Sequence, residues 1–211
     1  MDAQGEKLKR IRLIVTDIDG VHTNDTFVMC APTDGKEYRV VEGVVLKLRP
    51  IDDDGNPSDE VKYFAGRTDR IEGYTFYSPD GIAVKECIRH DIPVIMMSGR
   101  RSKAAEQRAE GLGALYLGGV KDKVRNIENH MKNGISWDEV LVIGNDIQDL
   151  SALRAAGFSA APADAFPEVI AEVDYVSRAR AGRGVVREVL QMMLEAKGLW
   201  RGIVERERTL G

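Results

Sequence analysis

At 211 residues, 43% of them hydrophobic, the chain is long enough for one domain with a sizeable core and an elaborated insertion. Its 30 Lys and Arg against 34 Asp and Glu leave a net charge of -4, without the basic field that a nucleic-acid partner requires. No apolar run approaches the ~18 residues of a membrane span, and Met1 to Arg10 is mostly polar and charged with no hydrophobic core, so a cytoplasmic protein with no secretory signal and no membrane partner is expected. Cys30 and Cys87 lie far apart without metal-ligand spacing and read as free thiols of a reducing compartment. His22, His90 and His130 are scattered, which argues against a histidine-rich metal site.

In chain order, Arg12 to Thr16 is β-branched and apolar and reads as a short buried strand. It runs into Asp17-Ile18-Asp19-Gly20-Val21, where strand alternation would point Asp17 and Asp19 the same way. From 22 to 79 no helical pattern occurs. Four β-prone runs, at 26–29, 44–48, 61–64 and 74–77, are separated by turn-rich pieces at 32–35 and 52–57. This predicts an enlarged, β-rich hairpin insertion after the first strand, at 22–79, within a single core domain spanning 1–211. Asp52-Asp53-Asp54 lacks the spaced ligands and distal glutamate of a calcium loop and reads as a solvated turn. Beyond the insertion, helical patterns at 81–90, 101–112, 121–132, 149–156 and 184–196 alternate with strands at 92–97, 115–117 and 140–143. Strands alternating with helices mean right-handed βαβ units, so the fold class is α/β, a Rossmann-like doubly wound parallel sheet. Such sheets bind ligands outside the carboxyl ends of their strands.

Four elements fall at those ends. Asp17 and Asp19 would share one crevice, where two carboxylates can hold a divalent cation or divide nucleophilic and acid/base work. Ser98-Gly99-Arg100 closes the 92–97 strand, and a hydroxyl with adjacent N–H groups before a helix can hold phosphate oxygens. Lys123, near a helix start, could neutralise a nucleophilic carboxylate and a phosphoryl oxygen. Gly144-Asn145-Asp146-Ile147-Gln148-Asp149 follows the fourth strand and supplies further oxygen donors to a hard cation such as Mg²⁺.

The order DxDGV, SGR, lysine, GNDxxD resembles the haloacid dehalogenase superfamily of phosphohydrolases. Asp80-Gly81, the run Pro162 to Pro167 and the run Ala181 to Glu188 extend the resemblance to the capless branch. That branch contains the 3-deoxy-D-manno-octulosonate 8-phosphate phosphatases and the related sialic-acid-type 9-phosphate phosphatases. The resemblance covers roughly residues 10 to 24 and 74 to 197 and identifies the chain as a phosphoric monoester hydrolase.

By that resemblance, Asp17 attacks phosphorus, Asp19 serves as acid and base, and Ser98 and Lys123 hold phosphoryl oxygens. Mg²⁺ is bound by Asp17, the main chain of Asp19 and the Asn145-Asp146 element. Gly99, Arg100 and Arg183 are substrate-binding candidates, Arg100 as the fork that matches a sugar carboxylate. Arg183 also reads as an ordinary cation at a helix start. Asn145 stands where capless relatives commonly carry an aspartate. Asp146 either replaces it as ligand or stands behind it. The implied substrate is a phosphorylated acidic keto-sugar, 3-deoxy-D-manno-octulosonate 8-phosphate ahead of a nonulosonate 9-phosphate or another small metabolite. The implied assembly is a homotetramer in surface-polysaccharide precursor synthesis. The enlarged insertion together with Asn145 leaves open a reading from another class, a catalytically weak assembly module. The tail from Gly198 reads either as a frayed terminus or as a segment reaching a neighbouring subunit.

Overall fold

The computed structural model describes residues 3–24, 27–30, 45–48, 60–67 and 70–209, with the segments between 27 and 73 described as backbone. Strand β1 (Leu13–Asp17) is buried along its whole length, as its continuous apolar run requires of a strand covered on both faces. It pairs in parallel with β6 (Val94–Ser98) on one side and with β8 (Val140–Ile143) on the other. Beyond β6 lies β7 (Leu115–Gly118), and beyond β8 lie β9 (Phe158–Ala161) and β10 (Tyr175–Val176), giving the order β10-β9-β8-β1-β6-β7. Successive strands therefore depart in opposite directions from β1, and the crevice that binds ligands opens at its carboxyl end. Asp17 is the last residue of β1 and is aligned with Met97, one residue before Ser98.

Helices cover both faces. Helices α1 (Ala3–Arg10), α2 (Ser78–Arg89), α3 (Lys103–Leu112) and α7 (Val185–Ala196) bury Leu8, Val84, Ala105 and Leu190 against Ile14 and Met96 of the sheet. On the opposite face, α4 (Lys123–Glu128), α5 (Leu150–Ala155) and α6 (Pro167–Ile170) bring Ile127, Leu153 and Val169 against Leu13, Val15 and Met97. The alternation of Leu13, Ile14 and Val15 between two cores is the period-2 geometry of a strand. Ser102 caps α3 by accepting the Ala105 N–H at 3.3 Å, and Gly113 ends it at φ +80°, a conformation that suits glycine. Among the described residues no helix is long and apolar enough to cross a membrane.

Between β1 and α2 the backbone forms a second sheet of four antiparallel strands, ordered β2-β5-β4-β3. Its strands β2 (Phe27–Cys30), β3 (Val45–Leu48), β4 (Glu60–Arg67) and β5 (Arg70–Tyr77) fall on the four β-prone runs of the sequence. The expected turns at 32–35 and 52–57, with the Asp52-Asp53-Asp54 triplet, lie outside the described residues. The end of β5 belongs to the main core: Tyr74 and Phe76 are buried, their rings stacked at 6.0 Å.

Several elements differ from expectation. Helix α4 stops at Glu128 rather than at 132, where the His130 N–H bonds the Ile127 carbonyl three residues back and the Lys132 N–H the His130 carbonyl two back, both tighter than an α-helical turn. Helix α1 forms from a charged segment that carries one buried residue, Leu8. Strands β9 and β10 are too short to show periodicity. The tail from Trp200 to Thr209 is helical rather than frayed. Helix α8 (Trp200–Thr209) docks on its own chain, with the Arg187 guanidinium 4.5 Å from the Trp200 ring centre and Arg206 bonded to Glu86 at 2.8 Å. Cys87 is a buried free thiol whose pKa burial pushes up to about 12.

Helix α7 begins at Gly184 (φ 105°), which has no side chain to cap it. Asp80 in the first turn of α2 supplies the cap, accepting the Arg187 N–H at 2.7 Å. Burial lifts the Asp80 carboxyl from 3.8 to about 7, although the Arg187 N–H and the charges of Arg108 and Arg187 pull the other way. A carboxyl raised in this way binds its proton more tightly folded than unfolded. Stability from this group is therefore full below pH 3.8 and is lost as pH rises through about 7. Asp80→Asn keeps an acceptor and cannot ionise. Its unfolding midpoint is expected to exceed that of the wild type by about 5–10 °C near pH 8, the difference narrowing as pH falls and closing only near pH 3.5. Thermal scans of both proteins at the two pH values check this, and a difference independent of pH would contradict it.

Candidate active site

Strand β1 ends at Asp17, so Asp19 is brought to the crevice by a turn and not by strand alternation. Gly20 adopts φ 76°, and the Val21 and Thr23 N–H groups both return to the Ile18 carbonyl. The turn is fastened beneath by Thr16, whose hydroxyl lies 2.9 Å from His22 Nε2 in the buried interior. Burial, reinforced by the Arg108 charge, lowers the His22 pKa to about 3, so this imidazole is neutral and serves the turn's shape. Its role was not legible in the sequence, where it stood as one of three scattered histidines.

Ser98, at the end of β6, donates its hydroxyl to Asp19 Oδ2 at 2.8 Å and accepts the Arg100 N–H at 3.0 Å. The hydroxyl thereby orients the second carboxylate and pins the SGR turn. Lys123 is the first residue of α4, which Asp122 caps through the Arg125 N–H at 3.0 Å. Its ammonium group bonds to both Asp17 Oδ1 and Asp149 Oδ1. Asp149, left unassigned by the sequence analysis, organises the fourth element. Its Oδ2 accepts the N–H groups of Asn145 at 2.9 Å and Asp146 at 3.2 Å. A Cβ on Gly144 would fall 2.6 Å from the Asp149 side chain, so a glycine is needed there. The signal for Asp149 was present in the final acid of GNDxxD. The Asn145 carbonyl accepts the Phe166 N–H at 3.1 Å, which ties the run Pro162 to Pro167 to the site.

These groups converge on one cavity of about 250 Å³, lined by Asp17, Asp19, Gly99, Arg100, Lys123, Asn145 and Asp146, together with Gln148 and Asp149. Ser98 lies beside it through Asp19. Arg183 departs from expectation. It lines a separate groove with Tyr77 and Arg187, because the Gly182–Gly184 turn carries it to the start of α7.

Burial raises the Asp17 carboxyl well above its ordinary value; Lys123 opposes this, while the Asp149 and Asp19 charges add to it. Burial also disfavours the Lys123 charge, but Asp17 and Asp149 outweigh it and hold this pKa above its ordinary value. One ammonium thus faces several carboxylates, and the excess negative charge fits a divalent cation. Among the described residues no group of three or more His, Cys, Asp or Glu side chains forms a ready-made metal cage. The available donors are carboxylate, amide and main-chain oxygens, the hard set that suits a cation retaining several waters.

No family model matches the chain. It is 32% identical over 155 residues to the 3-deoxy-D-manno-octulosonate 8-phosphate phosphatase KdsC of Escherichia coli K12, covering 72% of this chain and 81% of the relative. The chain belongs to the KdsC-type haloacid dehalogenase phosphatases. The structure of the Yersinia pestis 3-deoxy-D-manno-octulosonate 8-phosphate phosphatase superimposes with a TM-score of 0.72 at 27% identity, covering 95% of this chain and 90% of that one. The cobalt-bound Haemophilus influenzae deoxy-D-mannose-octulosonate 8-phosphate phosphatase does so at 0.67 and 28% identity, covering 92% and 93%. Membership makes the protein a phosphatase and agrees with its parallel sheet.

Proposed function

We propose that the protein is a Mg²⁺-dependent phosphomonoester hydrolase acting through an aspartyl-phosphate on 3-deoxy-D-manno-octulosonate 8-phosphate. The observation that carries the chemistry is the single cavity in which Lys123 bridges Asp17 and Asp149 while Ser98 holds Asp19. Asp17 attacks phosphorus, a P–O bond forms to its carboxylate, and the bond to the sugar oxygen breaks. Asp19 gives its proton to the departing oxygen, then takes one from the water that hydrolyses the aspartyl-phosphate and releases inorganic phosphate. Lys123 holds Asp17 in place and stabilises phosphoryl oxygens, and the Ser98 contact keeps Asp19 aimed at the leaving group. Asp17, the main-chain carbonyl of Asp19 and the Asn145–Asp146 loop would hold the Mg²⁺. When bound, that ion offsets negative charge on the phosphoryl oxygens. Support for a divalent requirement comes from the cobalt-bound relative.

The substrate follows from the relatives' named activity and from Arg100, which is exposed at the cavity mouth with its guanidinium 5.9 Å from the Tyr74 ring centre. A planar fork there suits the carboxylate of an acidic sugar. A nonulosonate 9-phosphate offers the same two anionic groups on a longer chain. The homotetramer, the place in lipopolysaccharide precursor synthesis and the cytoplasmic location belong to the same proposal. The assembly-module alternative has less behind it, since the Asp17–Lys123–Asp149 contacts it does not need are all present.

The test is phosphate release from a panel of eight- and nine-carbon keto-sugar phosphates, with Mg²⁺ and with chelator. Turnover of the eight-carbon substrate that stops on chelation is expected. A preference for a nine-carbon phosphate would reassign the substrate, and inactivity toward the panel and generic esters alike would favour the assembly reading.

A further inference from the structure

The cavity is too small for the whole proposed substrate. Its volume of about 250 Å³ lies below the ~300–1,000 Å³ of sites that enclose drug-sized ligands. Its floor, made by Asp17, Lys123 and Asp149, suits a phosphoryl group and a cation, so the sugar must project through the mouth. Gly99, Arg100 and Gln148 stand there.

Three features single out Gln148. First, its position is held by the site itself. It occupies the short turn Ile147–Asp149, in which the Asp149 N–H returns to the Asp146 carbonyl at 2.8 Å and the Ile147 N–H to Asp146 Oδ1 at 2.6 Å. The next residue is Asp149, fixed by Lys123 and by the Asn145 and Asp146 N–H groups. Second, its side chain reaches across the opening. Gln148 Oε1 lies 3.4 Å from where a Cβ on Gly99 would stand, an ordinary contact distance, so the amide sits beside the Gly99 backbone at the rim of the cavity. Third, among the described residues its amide makes no hydrogen bond, leaving two donors and an acceptor for a ligand. The group is neutral. It gains little from a phosphoryl group and is matched to hydroxyls, which both donate and accept.

We propose that Gln148 is a specificity-determining residue whose side-chain amide hydrogen-bonds hydroxyl groups of the sugar, opposite Gly99 and beside Arg100. This rests on the sugar-phosphate reading of the same site. Arg100 would then select for charge, and Gln148 for hydroxyls near the phosphate.

Gln148→Ala and Gln148→Leu separate hydrogen bonding from bulk, since leucine retains most of the volume and no polar atom. The measurement is steady-state kinetics on the preferred sugar phosphate and on 4-nitrophenyl phosphate, with inhibition by the free sugar and by inorganic phosphate. Both variants are expected to raise KM for the sugar phosphate about five- to tenfold, with kcat held within about twofold. Inhibition by the free sugar weakens equally, while inhibition by inorganic phosphate and turnover of 4-nitrophenyl phosphate stay as in the wild type. Unchanged sugar KM in both variants overturns the assignment, as does a parallel loss on both substrates. Recovery by leucine alone would overturn it in favour of simple packing. A wild type active on 4-nitrophenyl phosphate and inert on every sugar phosphate would overturn the sugar reading itself, and this assignment with it.

Discussion

Asp17→Asn is expected to lower phosphate release by about 10⁴-fold or more, on sugar phosphates and generic esters alike. The amide matches the carboxylate in shape but is not a nucleophile, so the covalent step has no substitute in the cavity. The fold is expected to survive. Asp17 is a buried carboxyl whose ionised form is opposed by burial and by the Asp149 and Asp19 charges, so its neutral isostere relieves repulsion while leaving the Lys123 ammonium paired with Asp149. Phosphate release beside a thermal scan checks both halves. A variant that retained more than about one per cent of wild-type turnover would remove Asp17 from the nucleophilic role.

Lys123→Met is expected to damage both function and fold, which distinguishes it from the Asp17 substitution. The ammonium joins a strand-end carboxylate to the acid that shapes the Gly144–Asp149 turn, and all three groups are buried. Removing one member of a buried ionic set leaves the others uncompensated, at a cost of about 3–5 kcal/mol. For a chain of this length that corresponds to an unfolding midpoint lower by roughly 10 °C. The loss is expected to shrink as pH falls. Without the lysine, which pulls it down, the Asp17 pKa rises further above that of the unfolded chain. Proton uptake then favours the folded state at the acid end and ceases to help as pH rises through the folded value. Turnover falls by about a thousandfold through loss of charge at the phosphoryl oxygens. Equal midpoints for variant and wild type near pH 8 would show that the bridge does not operate in solution.

The two substitutions together describe how the site is built. The nucleophile comes from the central strand, its counter-charge from a helix start after β7, and the organiser of the metal loop from the turn after β8. No two of these are neighbours in sequence. They meet because three parallel strands end on one edge of one sheet.

Much of this was legible before any coordinates. Strand β8 falls on Val140–Ile143 as expected, and α7 and α3 end at the expected residues, Ala196 and Leu112. These segments carry strong periodicity or an uninterrupted apolar run, and α3 adds a serine cap and a terminal glycine. Short elements were not legible. Strands β9 and β10 span four and two residues, too few to repeat a pattern, and they form because β8 presents an open edge. Helix α8 was obscured by its charge; it is held by Trp200, Ile203 and Arg206, whose partners Arg187 and Glu86 lie elsewhere in the chain.

By itself the sequence determined the fold class and the chemical inventory. Apolar runs of period 2 and 3.6 specify parallel βαβ units, and the acids, serine and lysine at the strand ends specify hard-cation phosphate chemistry. Tertiary structure alone decided which groups act together. It placed Asp19 by a turn, made Asp149 the hub for Lys123 and the Asn145 loop, carried Arg183 to a separate groove and set Gln148 at the cavity mouth. The physical reason is that side-chain identity is local, whereas distance and dielectric are not. A carboxylate becomes a nucleophile, a ligand or a cap only through the charges and the burial that distant parts of the chain bring to it.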